Sequence, residues 1–504
     1  MTQDAARRSG PGRLLSGAFW NALGRGLPLL LALALTPWLL QLMGIERWGL
    51  FTLALAVLGV MGVLDLGVGA ALTRALSERM AHAGAEEQAA LVRAAIAVLA
   101  LVGLAGAALV WAAIPWLTTR LLNIPPALQG EGAAALAILA LAIPLVVVNA
   151  ALWGVLAAYQ RFAAANLVTV PVNLLYYLGP LATLLVWQSL VPVMIALLLC
   201  RLVNSLSYAW LIARDLPGFW RGRPRLSLAA PLLSIGGWIT LAALIGQALL
   251  YADRFVIGAL LSLQDVAHYA TPLDLIIRFW ILPVAVAQAL LPAMAAAYRG
   301  LPAATAELLR RGGLIILALV FPAALIVGAA AEALLALWLG RDFAASAAPV
   351  LALFAVGILF SCFAYAPNAL LEAIGRPDVT ARFVLAQALV FIPASVAAVA
   401  WGGITAAAAL WSMRVAVDAL GKLFFAARLY PAAAPAASAL LPPLLAGGAV
   451  LALLTLLPGP GWRMAAALAG LLVLAPLLWR ALSAEERAIL RNPRSWPGLM
   501  RIRP

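Results

Sequence analysis

Apolar residues run along this chain in long stretches, interrupted only by short polar or Gly/Pro breaks. A stretch of ~20 apolar residues crosses the hydrocarbon core of a bilayer as one helix. A helix that is apolar on every face has no use for water. The stretches predict helices at 14–43, 47–73, 91–120, 132–158, 163–187, 190–213, 228–261, 267–297, 305–330, 347–374, 379–401, 403–428, 435–457 and 462–482, fourteen spans in all. The breaks between them include Met43-Gly44-Ile45-Glu46-Arg47, Asn123-Ile124-Pro125-Pro126, Trp401-Gly402-Gly403 and Pro458-Gly459-Pro460-Gly461. No loop is long enough for a globular domain, so function is expected within the bilayer. The pattern predicts an all-α polytopic membrane protein.

Composition supports this. Apolar residues make up 65% of the 504 and charged residues 10%, well under the ~25% of a soluble chain. The net charge of +14 therefore reflects loop arginines in a membrane protein, and nucleic acid is not an expected partner. Only Lys422 among the 33 basic residues is a lysine, and the Ala, Arg and Gly richness fits a high-GC bacterial genome. Of the basic residues in the loops and at the ends of the spans, 24 fall on one side and only Arg47, Arg120, Arg341 and Arg463 on the other. The positive-inside rule then puts both termini in the cytoplasm, with the chain in the inner membrane. Trp38, Trp48, Trp116, Trp187, Trp338, Trp401 and Trp462 fall near the expected outer ends, as an aromatic belt does. Cys200 and Cys362 sit inside apolar stretches and offer neither a disulfide framework nor a metal site. The first stretch lacks a small-residue cleavage signal and is expected to stay as a helix.

The chain also compares with itself. Leu14-Leu15-Ser16 and Trp20 return as Leu232-Leu233-Ser234 and Trp238; Tyr159-Gln160-Arg161-Phe162 matches Ile374-Gly375-Arg376-Pro377; Cys200-Arg201 matches Met413-Arg414. Six spans return a chain to the side on which it began, so the two copies run in the same sense. That predicts a six-helix lobe in residues 1–220, a second in 221–430, and two extra helices with a basic tail in 431–504. Parallel bundles around a central cavity are a transporter architecture.

Gly44-Ile45-Glu46-Arg47-Trp48-Gly49-Leu50-Phe51 and Leu64-Asp65-Leu66-Gly67-Val68-Gly69-Ala70-Ala71-Leu72-Thr73-Arg74 resemble segments of the bacterial polysaccharide-biosynthesis flippases. Tyr251-Ala252-Asp253-Arg254-Phe255-Val256-Ile257-Gly258 and Tyr269-Ala270-Thr271-Pro272 do so too. These flippases belong to the multidrug/oligosaccharidyl-lipid/polysaccharide exporter superfamily and move lipid-linked O-antigen or exopolysaccharide units. The resemblance covers most of residues 14–430. It implies two lobes about a V-shaped cavity, alternating access, and coupling to H⁺ or Na⁺ with no bound cofactor. It further implies a lipid-linked oligosaccharide as cargo, membrane lipids as surroundings, and a polysaccharide polymerase and glycosyltransferases as partners of a monomeric protein.

Charge inside a span costs ~2.5–3.5 kcal/mol on insertion scales and marks function by default. Asp253, Arg254, Asp274 and Arg278 lie in the outer half, Arg201 and Arg414 near the midplane, and Arg25, Asp65, Glu372 and Asp418 in the cytoplasmic half. Three pairs, Asp274–Arg278, Glu372–Arg376 and Arg414–Asp418, are spaced to neutralise one another on a helix face. For Glu372–Arg376 that local pairing is the expected reading; for Asp274–Arg278 a gate and a local pair both stay open. Arg25 and Arg201 have no acidic neighbour on their own helices. Arg25 also sits between Gly24 and Gly26, close to Pro28, while Gly59, Gly62, Gly67 and Gly69 surround Asp65. Interrupted spans point to transport sites, although small residues also serve simple close packing.

A pyrophosphate headgroup needs cations that stay charged when desolvated, which suits arginine. Arg25, Arg201 and Arg414 are the candidate headgroup ligands, Asp65 and Asp418 the candidate ion-coupling carboxylates, and Asp253, Arg254, Asp274 and Arg278 the candidate gate. The alternatives are less well served. A multidrug antiporter of the same superfamily calls for an acidic cavity, and a membrane glycosyltransferase calls for an acidic pair beside a large outer loop. An ATP-driven pump would need a phosphate-cradling Gly-x-x-x-x-Gly-Lys-Ser/Thr, which the sequence lacks. The chain is therefore not expected to be an enzyme. Reporter fusions after residue 504 and after Pro460 are expected to report opposite sides of the membrane; the same side for both would overturn the fourteen-span count.

Overall fold

A computed structural model describes residues 30–65, 67–80, 82–482 and 486–487, with the backbone alone for 230–242. Among the described residues every element is helical. In hydrocarbon no water is available to backbone amides and carbonyls, so a spanning segment must bond to itself, and the helix does this within one segment. Twelve described helices are long and apolar enough to cross a bilayer. In chain order we name α1 (Leu30–Met43), α2 (Ile45–Arg79), α3 (Ala85–Leu121), α4 (Pro126–Ala158), α5 (Phe162–Leu184) and α6 (Leu190–Asp215). There follow α7 (Ala230–Leu260), α8 (Leu263–Ala297), α9 (Pro302–Ala329) and α10 (Arg341–Ala373). Residues 377–429 run on without a loop, but Gly403 has φ 61° and ψ −152° and breaks the helix. This gives α11 (377–402) and α12 (404–429), followed by α13 (Pro431–Leu456) and α14 (Pro460–Ala481). With α1, whose expected beginning lies outside the described residues, the fourteen expected spans each have a counterpart.

Several boundaries differ from expectation by up to six residues, and local causes are plain in two places. A short helix, Ala331–Leu339, fills the expected loop before α10. The eighth span begins at Leu263, ahead of the expected 267, because Ser262 and Asp265 form a reciprocal cap. The Ser262 amide donates to Asp265 Oδ2 at 3.2 Å, and the Asp265 amide donates to Ser262 Oγ at 3.1 Å.

The chain divides into two compact units, residues 1–267 and 268–504. In the first, α3 packs on α4, α4 on α2 and α6, and α5 on α6, while α7 lies along α2. Small residues set the closest approach. A Cβ on Gly154 would stand 2.4 Å from the Gly69 carbonyl oxygen, and the Thr73 hydroxyl donates to the Gly154 carbonyl at 3.0 Å across the same seam. Gly69 thus serves packing. The ends of α2, α4 and α6 that are expected outside meet at Glu131, whose carboxylate accepts from Arg47 Nε at 3.0 Å, from Ser189 Oγ at 3.1 Å and from the Leu190 amide. One side chain therefore joins three spans and satisfies an orphan amide at the start of α6.

In the second unit α10 packs on α9 and α12, α13 covers α9 and α10, and α14 leans on α13 and α9. Beyond the spans Glu486 ties the end of the described chain to α9. Its carboxylate pairs with Arg311 at 3.0 Å and with Arg310, which also binds Glu307 and the Ala481 carbonyl. One pair of turns at matched sequence positions is alike. Gln160 has φ 54° and Gly375 φ 74°. The next residues, Arg161 and Arg376, donate their amides at 2.8 Å to the carbonyls of Leu156 and Leu371. The first match of the repeat, 14–20 with 232–238, lies outside what the structure describes.

Candidate functional site

Arg201 faces the aromatic side of α5. Its guanidinium carbon lies 4.9 Å from the centre of the Tyr176 ring, and its buried Nε has no hydrogen-bond partner among the described residues. A turn further along α6, the Asn204 amide oxygen is also buried without a partner, and Tyr208 bonds the Thr169 hydroxyl of α5. No carboxylate of the described residues lies within ion-pair reach of Arg201. A cation held against a ring face keeps its donors for something else. Cys200, beside it, is buried and unbonded, as Cys362 is in the other unit.

Arg254 on α7 also lies over a ring. It is 2% exposed, and its guanidinium lies 5.1 Å from the Tyr251 ring, one turn earlier. Tyr251 fits because α2 has no side chain at Gly59, where a Cβ would come within 2.8 Å of the ring. Asp253 is 8% exposed. These two members of the expected gate belong to the first unit and Asp274 and Arg278 to the second. Asp274 and Arg278 form no ion pair with each other. Residues 277–280 turn as a 3-10 helix, which breaks the i, i+4 register on which the local reading depends.

The end of α7 is held from a distance. The Asn123 amide donates to the Gly258 carbonyl at 2.8 Å, and Asn123 Nδ2 donates to the carbonyls of Ala259 at 3.0 Å and Leu261 at 2.9 Å. Close by, a Cβ on Gly49 would collide with the Leu263 carbonyl, and Gln264 donates to Glu46 at 3.5 Å. The Gly44–Phe51 segment thus lies against the turn from α7 to α8.

Asp65 sits where α2 breaks into a single 3-10 turn, with Gly67 at φ 65° behind it. Its carboxylate accepts the Gly67 amide at 3.3 Å and has no basic partner among the described residues. Nearby, an apolar crevice of ≈ 210 Å³ opens among α2, α3 and α7, lined by residues such as Val57, Met61, Val110 and Phe255. Such a crevice suits hydrocarbon and offers a phosphate nothing.

In the second unit Asp418 is already engaged. Lys422 Nζ lies 2.7 Å from one carboxylate oxygen, and Gln387 of α11 donates to the other at 2.9 Å. Arg414 lies one turn earlier, half-buried. The expected Glu372–Arg376 pair does not form: Arg376 turns to Asp378 at 3.0 Å, and Glu372 accepts from Asn368 at 2.8 Å. The chain leaves the helix between them, so the helical spacing is lost. Arg25 and its flanking glycines lie outside the described residues.

Sequence reasoning missed Tyr176, Tyr251, Asn123, Lys422 and Gln387. Tyr251–Arg254 and Asp418–Lys422 have helical spacing and were within reach of a periodicity argument. Tyr176, Asn123 and Gln387 act on residues far away in sequence, and no local signal marks them.

The profile of the family described as polysaccharide biosynthesis protein matches residues 14–297. A candidate O-antigen transporter of Shigella flexneri is 23% identical over 420 residues, which cover 81% of this chain and 96% of that protein. A lipid II flippase, MurJ, in an inward closed conformation superposes with a TM-score of 0.67 at 13% identity, covering 91% of this chain and 97% of the other. An inward-facing multidrug resistance transporter of the MATE family, MOP superfamily, gives 0.64 at 17% identity, covering 82% and 99%. At these identities the solved structures are evidence of a shared fold.

Asn123→Ala removes two bonds from the end of α7 and leaves the amide bond. At about 1 kcal/mol for the pair, a cysteine introduced at Leu261 is expected to react with an impermeant thiol reagent roughly fivefold faster than in the parent. An unchanged rate would show that Asn123 does not hold this end closed.

Proposed function

Because the chain belongs to the polysaccharide biosynthesis protein family, we propose that it is a flippase for a lipid-linked oligosaccharide. In this reading it carries a polyprenyl-pyrophosphate-linked glycan from the cytoplasmic to the outer face of the inner membrane by ion-coupled alternating access. The single observation that most supports this is Arg201, a cation inside a span with no carboxylate of the described residues in reach, braced on Tyr176. A structural arginine would be neutralised; one that waits for an anion is not. A planar guanidinium binds a phosphate oxygen pair bidentately and remains charged in a low-dielectric site. Arg25 and Arg414 complete the proposed headgroup set.

Ion coupling is assigned to Asp65 ahead of Asp418. Asp65 has no basic partner among the described residues, whereas Asp418 holds Lys422 and joins in only when that contact opens. Asp253, Arg254, Asp274 and Arg278 are proposed to form the outer gate, whose ion pairs exchange for water when the outward-open state is populated. The protein makes and breaks no covalent bond.

Surface glycan in cells carrying single variants tests the reading. Arg201→Ala and Asp65→Asn are expected to lower export at least roughly tenfold at normal protein levels, with Arg201→Lys between Ala and the parent. Parental export by Arg201→Ala would remove Arg201 from the site. In the same assay, exchange of Asp274 and Arg278 is expected to stop export and to raise outer-side thiol reactivity nearby. Parental behaviour of the exchange variant would end the gate assignment.

A further inference from the structure

The segment between α6 and α7 has a composition that the transport cycle does not explain. Residues 220–227 are all exposed and read Trp-Arg-Gly-Arg-Pro-Arg-Leu-Ser. Trp220 is 70% exposed, and Trp210 and Leu226 are also open. The segment is nevertheless fixed in place. Leu216, Phe219 and Ala229 are buried, and Arg93 donates to the Gly218 carbonyl. Gly218 and Gly222 take φ of 85° and 91°, a conformation that costs glycine little, and so turn the chain back on α3. Trp220 stacks edge-on against the buried Phe219 at 4.6 Å.

The charge on this platform is unbalanced. Glu86, the carboxylate against Gly218 and Gly222, is paired with Arg93 at 2.6 Å. Asp215, at the end of α6, is paired with Arg161 at 2.6 Å. Arg214, Arg221, Arg223 and Arg225 are left with no carboxylate among the described residues, and Arg214 lies 5.2 Å from the Trp210 ring. Four unneutralised guanidiniums with three exposed apolar side chains have the composition of a surface that enters a headgroup layer: aromatic rings sit at the interface and arginines reach phosphates. The arginine tally places this side in the cytoplasm.

We propose that residues 210–226 form a fixed docking surface for anionic phospholipid headgroups of the cytoplasmic leaflet, pinning the connection between the sixth and seventh spans to the membrane surface. The four arginines of this surface are all exposed rather than enclosed. A layer of phospholipid fits it better than a single cargo headgroup of similar phosphate chemistry. The assignment stands apart from the headgroup site at Arg201 and does not need the protein to be a flippase.

Native mass spectrometry of the full chain in equimolar phosphatidylglycerol and phosphatidylcholine tests it. The parent is expected to retain phosphatidylglycerol preferentially, and increasingly so as salt is lowered. Arg221→Gln with Arg223→Gln and Arg225→Gln is expected to reduce that preference at least roughly fivefold, whereas lysine at the same three positions retains it. Arg299→Gln with Arg382→Gln, which removes exposed arginines elsewhere, is expected to leave it unchanged. Equal retention by the Gln triple variant, equal loss in the Arg299/Arg382 control, or a parental preference indifferent to salt would each overturn the proposal. Displacement of the bound phosphatidylglycerol by equimolar undecaprenyl pyrophosphate would overturn the leaflet assignment in favour of cargo capture. The salt series needs only the parent, so the test survives a variant that fails to fold.

Discussion

A peptide group in hydrocarbon finds no water to bond, and the architecture of this chain follows from that constraint. The described helices satisfy it within themselves. At some of the places where a helix stops or breaks, a side chain supplies a missing partner. Asn123 binds three carbonyls at the end of α7. Glu131 accepts the Leu190 amide at the start of α6, and Asp65 accepts the Gly67 amide beyond the break in α2. Polar side chains in these spans are therefore first of all repairs to the backbone.

Charge obeys a second form of the same constraint. Buried cations here are either neutralised or laid on an aromatic face. Lys422 takes Asp418, and Arg310 takes Glu307 and Glu486. Arg201 takes Tyr176. The two solutions differ in consequence. An ion pair uses up the donors of the cation, while a ring leaves most of them available to an incoming anion. That difference separates the proposed headgroup contact at Arg201 from the closed pair at Asp418.

Small residues link these polar sites to the packing. Gly59 admits the ring on which Arg254 rests, Gly69 and Gly154 let α2 and α4 touch, and Gly49 lets the Leu263 carbonyl reach α2. Of the glycines around Asp65, Gly59 and Gly69 make close contacts, and Gly67 supplies the left-handed turn. Helix contact and helix interruption are thus neighbouring uses of one residue type on one span.

The spans and their approximate number were legible in the sequence because each depends on local periodicity. Hydropathy needs only ~20 consecutive residues, whereas the alike turns at Gln160–Arg161 and Gly375–Arg376 share only the arginine in sequence. The Asp418–Lys422 pair has helix spacing but was missed in favour of Arg414–Asp418, and spacing misled where the helix ended early, as at Glu372 and Arg376. Tyr176 under Arg201, Gln387 on Asp418 and Asn123 on the end of α7 were decided by tertiary structure alone. Periodicity fixes which face of a helix a residue occupies, but only packing decides which other helix that face meets, and a contact between distant segments leaves no mark on either segment by itself.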